Sequence, residues 1–164
     1  MKLTPDRVVA ERDWVAARAP VVVPIINTVR AELGAIFDTN VDSVTETQYL
    51  AAVDAVFADG DLAVNVATLV AILRDLDVDG DYPGFIVDEI LGRELAATIA
   101  DGQPLRTLGE ATFHYADLQV HGDSNENAGV DDLEAALAAG FQERIPGWEW
   151  TERESPFAVD PNLE

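Results

Sequence analysis

Along most of this chain apolar residues recur at intervals of three and four, the spacing of helices that bury one face. Thr4-Pro5-Asp6 reads as N-cap, first helical residue and first-turn acid. The helix it opens runs to about Arg18, with Val8, Val15 and Trp14 inward, and Ala19-Pro20 ends it. Val21 to Val23 reads as a short extended piece. Pro24 then opens a second helix, in which Ile25, Ile26, Val29, Leu33, Ile36 and Phe37 repeat at helical spacing. Ser43-Val44-Thr45-Glu46 fits a capping box ahead of a third helix with Tyr49, Val53, Val56 and Phe57 buried. Gly60 suits a left-handed cap. Asp61 caps a fourth helix along Val66, Leu69, Val70 and Leu73, and Pro83-Gly84 opens a fifth with Phe85, Ile86, Ile90, Leu91 and Leu95.

Residues 107 to 121 carry two patterns. Leu108, Ala111, Tyr115 and Leu118 fit a helix, while the alternation around Phe113 and Tyr115 fits a strand. The capping-box match Thr107-Leu108-Gly109-Glu110 favours the helix. A last, alanine-rich helix spans Val130 to Arg144 with Leu133, Leu137 and Phe141 inward. The expected fold is mainly α, a bundle of six or seven short helices. It forms one domain over 1–145, with an extended C-terminal arm over 146–164.

The charge then changes the picture. Thirty-one acidic residues face ten basic ones, a formal charge of −21 on 164 residues. Confined to a compact body, that charge repels itself by on the order of ten kcal/mol at 0.1 M salt, and by less than half that at 1 M. Stability should therefore rise with salt or with a cationic partner. Only Lys2 is a lysine; the other nine basic residues are arginine. In composition the chain resembles proteins of salt-loving archaea, although high-GC actinobacteria and their viruses also favour Arg, Ala, Val and Asp. So acidic a chain is a poor binder of nucleic acid or of anionic membrane. There is no cysteine, hence no disulfide or thiolate chemistry. The N-terminus lacks a signal peptide's apolar stretch and the longest apolar run is too short to span a membrane, so a cytoplasmic or virion location is expected.

Few motifs carry chemistry. Asp75-Leu76-Asp77-Val78-Asp79-Gly80-Asp81 resembles the front half of an EF-hand calcium loop. Asp75, Asp77, Asp79 and Asp81 would there ligate Ca2+ or another divalent cation, although no cofactor is required. The match fails at the twelfth position, which is Ile86, and Pro83 disturbs the turn. On a helix, His114, Asp117 and His121 would share a face and could hold zinc. Ser43, Ser124 and Ser155 lie in no nucleophile elbow, and no glycine loop suits a phosphate. No catalytic residue is nominated, so the chain reads as non-enzymatic.

The C-terminal arm is the most suggestive feature. Trp148, Trp150 and Phe157 sit on a proline-punctuated segment that cannot form its own core, and they read as an interface. The Thr4-Pro5-Asp6 opening, the short consecutive helices and the Trp148 to Phe157 arm resemble the head-to-tail adaptors in the neck of tailed viruses, including viruses of haloarchaea. The resemblance implies a homo-oligomer, joined to other structural proteins through its arms and without catalysis. The alternative is an EF-hand-like helical module that binds a divalent cation.

Overall fold

A computed structural model describes residues 1–76, 87–102, 105–120 and 128–148. The described residues form seven helices and no strand: α1 (Pro5–Ala17), α2 (Ala19–Ile36), α3 (Glu46–Ala58), α4 (Gly60–Asp75), α5 (Val87–Ala100), α6 (Leu105–Val120) and α7 (Ala128–Gln142). The expected mainly α bundle is what the chain forms, and residues 107–120 lie within α6.

Local sequence explains most helix starts. The Thr4 hydroxyl accepts from the Arg7 amide at 3.1 Å, with Pro5 at the first helical position. The third helix begins two residues later than expected. Its N-cap is Thr45, paired in a capping box with Gln48, because Val44 is buried and its backbone is clamped by the Asn27 side chain at 2.7 and 3.0 Å. The fourth helix begins two residues earlier, capped by Asp59, whose carboxylate accepts from the Leu62 amide at 3.2 Å. Gly60 is therefore helical rather than a left-handed stop.

The extended reading of Val21 to Val23 is overturned. These residues are helical, and Pro24 lies inside α2 instead of opening it. An interior proline costs ~3 kcal/mol. Burying Val22, Val23, Ile25 and Ile26 offsets that, at ~1.5–3 kcal/mol for each side chain. At 18 residues α2 has the length of a membrane helix. Here half of it is buried, with α7, α6 and α3 packed around it.

The closest packing joins α5, α6 and α7, where small residues let backbones approach. A Cβ on Gly140 would lie 2.7 Å from Ile99 Cβ and 2.9 Å from the Ala96 carbonyl oxygen; one on Gly109 would lie 2.9 Å from that same oxygen. Gly140→Ala is therefore expected to destabilise by about 1–3 kcal/mol in urea unfolding. Gly60→Ala, which meets nothing within 4 Å, should be neutral or slightly stabilising. Equal effects of the two would contradict this packing. Val22, Ile26, Val53, Val66, Leu95, Leu133 and Leu137 fill the centre, and Tyr49 meets Phe141 edge-on at 5.3 Å between ring centroids. At the periphery α1 docks on α4 through Glu11. This carboxylate is buried and receives Arg7 Nε and Arg74 Nη1, each at 2.7 Å.

Candidate functional site

The chain's apolar periodicity leaves one helix with two apolar sides. On α6, Thr112, Phe113 and Ala116 are buried against the bundle. Leu108, Ala111 and Tyr115, the stripe that marked the helix in the sequence, instead line a cavity of about 610 Å3. The end of α2 forms the facing wall with Leu33 and Phe37, and Phe37 is 70% exposed. Leu118 continues the α6 stripe one turn on and is also exposed. The volume lies in the range of ligand and peptide pockets.

The mouth of this groove is built by the turn that ends α2. Asp38 adopts a left-handed backbone, φ 49°, the Thr39 amide donates to the Gly34 carbonyl at 2.9 Å, and the Asp38 amide donates to the Ala35 carbonyl at 3.4 Å. Asparagine and aspartate tolerate this conformation better than most residues, though at some cost in strain. The turn sets Phe37, Asp38 and Thr39 at the rim.

The far end of the groove is Trp148, seated by Arg30. This arginine is 1% exposed, in the apolar body of α2. Its Nη1 donates to the Asp42 and Pro146 carbonyls at 3.0 Å each, and its Nη2 to Gln142 and Ile145 at 2.8 and 2.6 Å. The guanidinium thus collects carbonyls released at the end of α7. It also lies 5.6 Å from the Trp148 ring centroid, a cation–π distance. Burial pulls the Arg30 pKa down, while Glu143 and Asp42 oppose that. The Asp42 amide donates to the Gly147 carbonyl at 2.8 Å, and Val41 pairs with Trp148 in an antiparallel bridge. Gly147 has φ 126°, and a Cβ there would meet Arg30 Nη1 at 2.9 Å, so only glycine fits.

One acid lines the groove beside Trp148. Burial pushes the Glu143 carboxyl up to about 7, although a hydrogen bond from Gln142 and the charge of Arg30 pull the other way. Among the described residues that line the cavity there is no arginine or lysine.

The residues nominated from sequence fall into different places. Asp75 ends α4, mostly exposed, with its carboxylate 3.8 Å from Arg7. Asp77, Asp79 and Asp81 lie outside the described residues, as do His121, Trp150 and Phe157. Trp148 belongs to the groove. His114 and Asp117 do not make a site together: His114 is exposed, edge-on to Tyr115, whereas Asp117 is buried. Asp117 of α6 instead joins Asp88 of α5 and Asp132 of α7 in a buried carboxyl cluster. Among the described residues no group of three His, Asp or Glu is placed to hold a metal ion.

A family model described as a domain of unknown function, DUF7984, matches residues 1–161. The chain belongs to that family. No curated protein and no solved structure matches it. The DUF7984 match extends thirteen residues past Trp148, since 161 less 148 is 13, so the family's domain includes most of the aromatic C-terminal segment as well as the helical body.

Sequence reasoning missed Arg30 and Glu143, and it read Phe37 only as part of the apolar repeat of the second helix, whereas that ring is exposed at the groove. A single arginine in the apolar stretch Val21 to Leu33 is the one signal that could have found Arg30. Nothing local marks Glu143, whose character comes from the Trp148 and α6 surroundings.

Proposed function

We propose that this chain is a non-enzymatic structural protein. In this reading its copies are joined through the C-terminal segment, as in a virion component such as the head-to-tail adaptor of a tailed virus of salt-loving archaea. One observation carries the reading: Trp148 is fixed by Arg30 and Val41 beside an open apolar groove, and an aromatic segment continues from that point. The inclusion of the segment in the family's domain supports it. The high negative charge accords with an assembly that forms in concentrated salt, where self-repulsion is screened.

The test is mass by light scattering across protein concentration, from about 0.15 M to about 1 M salt. The expected result is a concentration-dependent oligomer favoured by salt and abolished by truncation after Trp148. A monomer under all conditions, indifferent to the truncation, would remove the reading.

A further inference from the structure

One side of α6 has the spacing of a helix-pairing seam. Leu108, Ala111, Tyr115 and Leu118 follow at intervals of three, four and three, the a and d pattern with which one helix packs against another. Phe113 and Ala116, on the other side of the helix, are buried in the bundle. The seam is left open: Ala111 is exposed and Leu118 is 54% exposed. Across the groove the end of α2 adds Ile36 and Phe37, 59% and 70% exposed. The Gln119 side chain donates to Glu32 at 3.2 Å. That contact holds α2 and α6 side by side and joins these residues into one patch.

Charge is scarce on this seam. In a chain of −21, α6 carries one base, Arg106, and two acids, Glu110 and Asp117. Asp117 is buried and Arg106 is paired to Glu94 of α5, which leaves Glu110 as the single acid exposed on α6. A basic partner would find little to answer it there, whereas a second copy brings the same neutral stripe. Leu105, Leu118, Ile36 and Phe37 present on the order of 400 Å2 of apolar surface, typical of the largest patch on a monomer. Two copies burying it with the groove walls would remove on the order of 1,000 Å2, the lower limit for a specific interface. The exposed Glu32 and Asp38 on α2, and the charge of each copy, oppose such pairing in dilute buffer. In 1 M salt that repulsion is screened to within about 3 Å.

We propose that two copies of this chain pair through α6, antiparallel about a two-fold axis, with Phe37 of each seated against the α6 of the other. The contact is separate from the C-terminal one proposed above and does not depend on it. An antiparallel register centred on residue 113 sets Leu108 opposite Leu118 of the second copy, and Ala111 opposite its Tyr115, small against large. The same patch serves both copies, so the contact closes on itself as a dimer.

The test is mass by light scattering on the full chain in about 0.15 M and about 1 M salt. The expected result is a dimer on the order of 100 μM protein in high salt, weaker in low salt. Phe37→Gln and Leu118→Gln leave the charge unchanged and replace side chains already exposed in the monomer. Each should weaken the dimer at least about tenfold while melting like the parent when dilute. Val64→Gln, equally exposed but on α4, should change nothing. The chain has no cysteine, so His114→Cys places a unique thiol on the exposed side of α6, one residue from the axis. A short bismaleimide should join two such chains and fail to join two Val64→Cys chains. A monomer at every concentration, a dimer indifferent to Leu118→Gln, or equal crosslinking of the two cysteine variants would overturn the proposal. A dimer that Leu118→Gln weakens and truncation after Trp148 spares would uphold it while removing the C-terminal reading. An oligomer lost on truncation and untouched by both glutamine variants would do the reverse.

Discussion

Replacing Arg30 with methionine is expected to lower the unfolding free energy by about 3–5 kcal/mol and to release Trp148 from its seat. Methionine supplies similar apolar bulk but no donor. The Asp42, Gln142, Ile145 and Pro146 carbonyls would lose their charge-assisted partners together. A buried polar group left unsatisfied costs about 1–3 kcal/mol, and removing one member of a buried charged network about 3–5. The loss of the guanidinium's own burial penalty offsets part of this, so the four costs do not simply add. Arg30→Lys should recover less than half of the loss, because an ammonium cannot present the planar fork that spans both sides of the 142–146 turn. Urea unfolding followed by circular dichroism gives the global term. Exchange of the Asp42 amide, which donates to Gly147, reports the local one. A loss below about 1 kcal/mol would show that the turn holds itself and that Arg30 is a passenger.

Arg30 also shows where the sequence stops being legible. Helical periodicity located α7 and the buried faces of α3 and α4, because Leu133, Leu137, Phe141, Val53 and Val66 repeat at helical spacing. Periodicity treats every charged residue as facing water. It therefore could not foresee that Arg30, Glu11 and Asp88 are each 1% exposed. Arg30 is held by carbonyls 12 to 116 residues away, and Glu11 by Arg74, 63 residues away, as well as by the nearby Arg7. Helix starts were displaced for a related reason. Ser43 and Thr45, or Asp59 and Asp61, are each competent caps two residues apart, and the choice falls to tertiary contacts such as the Asn27 clamp on Val44. The groove was half visible. The stripe Leu108, Ala111, Tyr115 identified a helix, but two apolar sides compete on α6, and only the packing of Phe113 and Ala116 against the bundle decides which remains open. Of the EF-hand-like aspartates, Asp75 alone lies among the described residues, at the end of α4 and 3.8 Å from Arg7.

The stability of this protein is expected to fall as pH rises through the neutral range, the reverse of what salt-bridged carboxylates produce. The cause is the cluster at the α5–α6–α7 junction. Asp132 is 6% exposed, and burial, a hydrogen bond with Asp88 and the charges of Asp88 and Asp117 push its carboxyl up to about 9. In the unfolded chain the same group titrates near 3.9. Below about pH 4 both states carry the proton and the native state has its full stability. Between about pH 4 and pH 9 the unfolded chain has lost the proton while the folded one retains it, so each pH unit costs up to about 1.4 kcal/mol. Above about pH 9 both states are ionised and this loss stops growing. Glu143, raised by burial to about 7, acts with the same sign over a narrower window that ends near neutrality. Asp132→Asn keeps a donor for Asp88 and Asp117 and has nothing to ionise. By that slope it should raise stability by up to about 5 kcal/mol at pH 8, leave it unchanged near pH 4 and flatten the profile between. Calorimetric melting from pH 4 to pH 9 is the measurement, made in about 1 M salt so that the general repulsion among the other acids is screened to within about 3 Å. If Asp132→Asn melts no higher than the parent at pH 8, Asp132 is ionised in the folded protein and the expected pH dependence fails.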